Sequence, residues 1–285
     1  MLRQLGGFIV AVSLYGGPAV TPAYDRAREL YQRTQYTESL ANLNKVQQKD
    51  ARAFELIGQN YFMLGDYKKA TDYFEKALQL DPRNSEIVHW LGRTYGRRAE
   101  TGSFLTAPSN ASKARQYFEK AVELDPQNQE AVNDLFDYYL EAPGFLGGGL
   151  NKAEDLAHHI ESLNPAEGHY ARAQIDDKKK DYEDAEQHLR KAAELAPHQV
   201  GRVVDIAQYL AKLGKFVESE LMFEKAAKMA PQEPKVLYHR AESYIKANRN
   251  LPQAKMLLEQ YMQSKLTPDD PSRAQAEALL KKLPN

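Results

Sequence analysis

A spacing of aromatic, small and apolar residues that returns about every 34 residues constrains this chain more than any other feature. It is clearest in residues 51–84, ARAFELIGQNYFMLGDYKKATDYFEKALQLDPRN. Counting Ala51 as place 1, Phe54 stands at place 4, Ile57 and Gly58 at 7 and 8, and Tyr61 at 11. Gly65 and Tyr67 interrupt the pattern; Ala70, Phe74 and Ala77 follow at places 20, 24 and 27, and Pro82 at 32. These spacings predict two amphipathic helices joined by a tight turn. At ~100° per residue, places 4, 7, 8 and 11 share one stripe of the first helix. Ala70 and Ala77 present only methyl groups, so the first helix can come close, and Phe74 fills the remaining space. A helix pair this short cannot hide both apolar stripes by itself, so it requires neighbours.

Copies occur along the chain. Residues 75–84 (EKALQLDPRN) and 119–128 (EKAVELDPQN) differ at three places, which marks an internal repeat. Seven units are expected: 20–50, 51–84, 85–128, 129–165, 166–199, 200–233 and 234–268, followed by a polar-faced capping helix at 272–283. The first lacks the closing Pro, and the fifth has a degenerate first helix. Ten residues are inserted between Tyr95 and Ala114, and five between Tyr139 and Ala153. Units and cap together consume the chain from Ala23 to Pro284, leaving no segment for a catalytic domain.

The order of residue types in 51–84 resembles the tetratricopeptide repeat almost place for place. The resemblance implies an all-α fold, a right-handed α-solenoid of about seven helix hairpins with a C-terminal cap, serving as a non-enzymatic scaffold for protein or peptide ligands. It also implies that places 5, 9 and 13 line the concave, partner-binding surface. The groove candidates on this basis are Glu55 and Gln59 (with Met63), His89, Arg93 and Arg97, Asn133 and Asp137 (with Glu141), Tyr170, Gln174 and Lys178, Gln208 and Lys212, and Tyr238 and Lys246. Arg93 and Arg97 are expected either to pair with Asp137 and Glu141 of the adjacent repeat or to face a ligand. Lys178, Lys212 and Lys246 recur at place 13 as a basic rail, read either as a seat for an acidic peptide or polymer or as helix-end electrostatics. Tyr170 and Tyr238 beside it are candidate exposed anchors. Some family members clamp the C-terminal carboxylate of chaperones; here Glu55, Gln59, Trp90, Glu130 and Asp134 stand where that clamp needs other residues, so it is not present in that register.

The rest of the sequence narrows the function by exclusion. A formal net charge of -1 and 42% hydrophobic residues describe a globular chain, and near-neutrality argues against a general nucleic-acid binder. With no Cys there is no disulfide, thiolate metal site or thiol nucleophile. No phosphate-binding, dinucleotide, zinc-protease or serine-hydrolase motif occurs, so no catalytic residue, metal ligand or cofactor is expected. Gly147, Gly148 and Gly149 read as a flexible turn, and His158 and His159, beside Glu154 and Asp155, as a solvated helix face.

Residues 1–23, MLRQLGGFIVAVSLYGGPAVTPA, have a basic start, an apolar run and then small residues, the layout of a secretory signal peptide with cleavage after Ala19 or Ala23. A disordered or packed tail is the alternative reading. After it no run is apolar enough to span a bilayer. The function expected is thus an interaction scaffold in a bacterial envelope, periplasmic or secreted, with a cytoplasmic adaptor or co-chaperone, and an accessory factor for envelope polysaccharide, as alternatives. The two insertions each carry an apolar pair, Phe104 with Leu105 and Phe145 with Leu146. They are expected to emerge as loops on one edge, either packed together or forming a docking ridge.

Overall fold

A computed structural model describes residues 22–283, and the segment read as a signal peptide lies almost wholly outside them. Fifteen α-helices and no strand occur among the described residues. They run α1 (Pro22–Gln32), α2 (Tyr36–Leu43), α3 (Ala51–Met63), α4 (Tyr67–Leu80), α5 (Ser85–Thr101), α6 (Ala107–Leu124), α7 (Gln129–Glu141), α8 (Leu150–Leu163), α9 (Pro165–Lys179), α10 (Tyr182–Leu195), α11 (Val200–Lys212), α12 (Phe216–Met229), α13 (Pro234–Lys246), α14 (Leu251–Met262) and α15 (Arg273–Leu280). Consecutive pairs form seven hairpins, and α15 is the cap, begun by a capping box between Ser272 and Gln275.

Each hairpin closes by matching a small residue on its first helix with a large one on its second. A Cβ added to Gly58 would lie 2.8 Å from the Phe74 ring, and one added to Gly92 would lie 2.5 Å from Phe118. Ala173 with Leu189, Ala207 with Phe223 and Ala241 with Leu258 repeat the arrangement in buried positions. The fourth hairpin inverts it: Phe136 supplies the bulk and Ala157 the space. Total volume is conserved while the sizes trade sides, as close packing requires.

The Asn that ends the repeated Asp-Pro-x-Asn turn caps the next hairpin. Asn84 Oδ1 accepts from the Glu86 and Ile87 amides, and Asn128 Oδ1 from Ala131. These two closing turns therefore set the start of the units that follow them. The cores interlock across units as well: Trp90, buried on α5, stacks on Phe74 of α4 at 5.7 Å between centroids.

First helices of neighbouring hairpins touch one another (α1 with α3, α3 with α5, α5 with α7, α11 with α13), and no comparable contact joins successive second helices among the described residues. The row is therefore curved with the first helices inside. Its ends meet: Arg273, which already donates to the Ser264 and Met262 carbonyls, reaches Thr34 Oγ1 in the first turn at 3.5 Å.

The ten-residue insertion is not the loop expected from its sequence. α5 and α6 lengthen to 17 and 18 residues and absorb it, so residues 100–101 and 107–110 are helical and only 102–106 connect them. The smaller insertion is a pinned turn rather than a flexible one. Gly149 N donates to Tyr139 O at 2.8 Å, Tyr138 Oη to Leu146 O at 2.9 Å and Lys152 Nζ to Gly147 O at 2.9 Å. A Cβ on Gly148 would sit 1.9 Å from the Ala142 carbonyl oxygen, so the turn closes only around glycine.

Two glycines of α5 should respond oppositely to the same change. Gly92→Ala drives a methyl into the Phe118 ring and is expected to cost about 1–3 kcal/mol, although Ala is the better helix former. A Cβ on Gly96 meets nothing within 4 Å, so Gly96→Ala is expected to stabilise by roughly 0.5–1 kcal/mol. Urea unfolding of the two variants, and of Gly92→Ala with Phe118→Leu to relieve the contact, measures both signs.

Candidate partner-binding groove

The inner wall formed by the first helices grades in exposure along each helix. At place 5, His89, Val204 and Tyr238 are buried and Glu55, Asn133 and Tyr170 half-buried. At place 9, Gln59, Arg93, Gln174, Gln208 and Glu242 are half-buried and Asp137 exposed. At place 13, Arg97, Glu141, Lys178, Lys212 and Lys246 are exposed. The groove thus has a floor at the start of each first helix and a rim at its end.

Two candidates are removed from direct contact by this grading. His89 is wholly buried, with Nε2 2.8 Å from Asp134 Oδ2 on the next first helix and Nδ1 without a hydrogen-bond partner. Tyr238, expected as an exposed anchor, belongs to the core that the cap completes, 5.3 Å from Tyr261. Tyr170 is half-buried beneath the Arg202 guanidinium, 4.1 Å above its ring, and burial raises its hydroxyl pKa.

The basic rail is already neutralised. Lys178 Nζ lies 2.8 Å from Glu141, Lys212 Nζ 2.6 Å from Asp177, and Lys246 Nζ 2.9 Å from Glu242. The first two cross between repeats and stitch neighbouring first helices together. Arg202 of α11 does the same more deeply, at 2.6 Å from Glu167 of α9 and 2.8 Å from Asp205. Gln208 reaches His239 and Glu242, each at 3.2 Å, and His239 and Lys246 hold the Glu242 carboxyl down to about 2.

Arg93 and Arg97 do not pair with Asp137 and Glu141. Arg93 approaches Asp134 at 3.7 Å and Glu130 at 4.0 Å while stacking 4.4 Å over Trp90; Arg97 joins Glu100 and the Tyr67 hydroxyl. That leaves Asp137 without a hydrogen bond or ion pair among the described residues. Burial by the protein packed round it, and then Asp134 and Glu141 beside it, push its carboxyl up to about 7, although water still reaches it. Glu55 is the parallel case on α3: it accepts one bond from Gln59 at 3.1 Å, and burial with Glu86 and Asp81 nearby lifts it to about 7.

Two cavities open on this wall. One of about 550 Å³ gathers Tyr170, Asp205, Gln208, Lys212 and Lys246 between α9, α11 and α13. The other, about 530 Å³, gathers Arg93, Arg97, Asp137 and Glu141 with Phe62, Phe118, Tyr138 and Leu146. Leu146 is therefore a groove residue, not part of an outer ridge. Phe104 and Leu105 (84% and 76% exposed) and Phe145 (83%) are bare, and Leu105 faces the opposite flank of the long hairpin, beside Leu64 and Tyr67. The four do not form one surface. Asn133 and Gln174 lie in the wall outside both cavities.

An imidazole nitrogen of His89 and carboxylate oxygens of Glu86 and Glu130 lie within 4.8 Å of one another, the one such grouping among the described residues. His89 Nε2 is engaged by Asp134, and the Arg93 guanidinium already brings a positive charge to Glu130, so the cluster reads as part of the groove's polar network. His159 is not merely solvated: its Nε2 is 2.9 Å from the Pro126 carbonyl. The residues that sequence reasoning passed over are Asp134, Glu167, Asp177, Arg202 and Asp205. They stand at places 6, 2, 12, 3 and 6, outside the places 5, 9 and 13 taken to line the wall.

No described helix is long and apolar enough to cross a membrane. The tetratricopeptide repeat model matches residues 51–84 and 166–199, and a second model of the same description matches 110–128. A comparison with curated proteins finds no match. Among solved structures, a tetratricopeptide repeat protein from Parabacteroides merdae superposes with a TM-score of 0.59 at 13% identity, covering 91% of this chain and 96% of its own. A thermophilic one from Thermus thermophilus gives 0.53 at 21% identity, over 68% and 99%. Repeat pattern and fold agree, and the fold is one suited to a protein–protein interaction scaffold: this chain is a tetratricopeptide repeat protein.

Proposed function

We propose that this protein is a non-enzymatic interaction scaffold, exported to a bacterial cell envelope, that holds a segment of a partner protein along its inner wall. The observation that carries the reading is the pair of cavities on that wall. In each, apolar side chains (Leu189, Tyr209 and Phe216 in one, Phe62, Phe118 and Leu146 in the other) lie beside charged groups, several of them the same groups that pair across the wall. This is the division of labour a binding groove needs, apolar burial for affinity and placed polar groups for orientation.

Export rests on residues 1–23, and the fold adds a preference between the two cleavage positions. Cleavage after Ala23 would cut inside α1, which starts at Pro22 and packs Ala27 and Leu30 into the first hairpin; cleavage after Ala19 leaves that helix whole. Intact-mass analysis of the protein recovered from a bacterial periplasm should give a chain beginning at Val20. A chain retaining Met1 would remove the envelope reading and favour the cytoplasmic one.

A photo-reactive side chain placed at Asn133 or Gln174, inside the wall, is expected to form covalent adducts with partner protein in cells. The same group at Glu224, on the outer helix α12, is expected to form none. Adducts from both faces, or from neither, would overturn groove binding.

A wall kept for a partner should cost the free protein stability. Glu55 and Asp137 are protonated in the folded chain up to about pH 7, whereas in the unfolded chain they ionise at about 4. The unfolded state therefore holds fewer protons between those limits, and stability falls as pH rises through that window. The pair Glu55→Gln and Asp137→Asn is expected to stabilise the protein at pH 8 by on the order of 1 kcal/mol, kept small because water reaches Asp137, and by less at pH 5. Thermal unfolding at the two pH values checks the sign.

A further inference from the structure

The two halves of the groove differ in how their acids are matched. In the C-terminal half every wall acid has a cation of its own chain: Glu167 and Asp205 share Arg202, Asp177 has Lys212, and Glu242 has Lys246. In the N-terminal half, α3, α5 and α7 set Glu55, Glu86, Glu130, Asp134, Asp137 and Glu141 on the wall. Arg93 serves Glu130 and Asp134, and Lys178 serves Glu141 from α9; Arg97 is drawn out to Glu100 and Tyr67. Nothing positive reaches Glu55 or Asp137 among the described residues. Four of these acids, at 130, 134, 137 and 141, form a single stripe of α7, where like charges three and four residues apart repel one another.

Beside this surplus of negative charge lies the cavity of about 530 Å³ with Phe62, Phe118, Tyr138 and Leu146 in its lining. The inserted residues help to build it: Ala99, Glu100 and Ala111 on the lengthened helices and Pro143 and Leu146 on the pinned turn are all in its wall. An apolar socket with an unmatched carboxylate at its edge suits an amphipathic cation, a side chain of Leu or Phe type next to Lys or Arg. An acidic ligand would meet the stripe on α7 head on, and a wholly polar one would leave the socket wet.

We propose that the N-terminal half of the groove binds a basic, apolar segment of a partner protein, with a Lys or Arg of that segment on Asp137, a second on Glu55, and an apolar side chain in the socket between α5, α6 and α7. The inference rests on the groove reading above and adds the chemistry of the occupant. The segment runs along the wall from α3 towards α7, its cations relieving the repulsion that the free protein carries. Guanidinium or ammonium groups at these two positions complete the pattern that the C-terminal half builds from its own residues.

The test uses the full chain and two fluorescein-labelled synthetic peptides, one of Leu, Lys and Arg and one with each Lys and Arg replaced by Glu, followed by fluorescence anisotropy at pH 8 and low salt. The basic peptide is expected to bind and the acidic one not to bind. Glu55→Gln with Asp137→Asn, side chains of unchanged size, should weaken the basic peptide about tenfold or more. The same change of charge on outer helices, Glu183→Gln with Glu224→Gln, should leave it within about twofold, which separates the site from general attraction to an acidic surface. Equal binding by the double groove variant, equal or tighter binding of the acidic peptide, or no binding of the basic one overturns the inference. In each of those cases adducts at Asn133 and Gln174 would leave the groove reading standing, and their absence would remove both.

Discussion

The structure depends on how closely the two helices of each hairpin can approach. With Gly58 and Gly92 bare at the crossing, the rings of Phe74 and Phe118 lie where a Cβ would otherwise be, and each ring then reaches past its own hairpin. Phe74 stacks on Trp90 of the next unit, so one close approach generates the contact between units as well as the contact within them. This is why the fourth hairpin can exchange sizes, Phe136 against Ala157, without breaking the row. The condition is complementary volume at one crossing, and either helix can satisfy it.

That condition also explains what became of the inserted residues. Extra chain between two helices can loop out or lengthen the helices. Lengthening is favoured when the added turns can continue the packed interface, as α5 and α6 do by extending side by side. The consequence for the site is direct. The longer arm raises a wall beside α7, and the glycine turn at 147–149, closed tightly enough to exclude a Cβ at Gly148, delivers Leu146 to the same cavity. The insertions shape the groove from its flank and do not form a separate surface.

The helices, the seven hairpins and the cap were legible because each is fixed within one period of about 34 residues: apolar stripes at ~100° steps, methyl-sized residues at crossings, Pro and Asn at unit ends. The inner wall was legible as a set of places and illegible as a set of partners. Which acid meets Arg93 is decided by the offset between neighbouring first helices. That offset carries the guanidinium to Asp134 and Glu130 and away from Asp137, and the period of one helix contains no record of it. Burial at place 5 has the same origin. Tyr238 is covered because the cap and Tyr261 close over it, and His89 because α7 lies against it. Val204 at place 5 was the one local sign that this place faces inward.

The curl of the row gives these electrostatics a further consequence. Arg273 stands against Thr34, with Asp269 and Asp270 close enough to Tyr36 to help burial raise its hydroxyl to about 12, so the last segment completes the circuit begun by the first hairpin. Within that circuit the matched acids of α9, α11 and α13 hold one arc together, whereas Glu55 and Asp137 of the other arc, held protonated up to about pH 7, destabilise it as they ionise. A carboxylate that stabilises neither its helix nor its neighbours is tolerated while total stability stays above threshold, and a cation from outside the chain would remove its cost. On the proposal above, the arc with the weaker internal electrostatics is the one a partner meets, so that one half of the wall holds the curve and the other half receives.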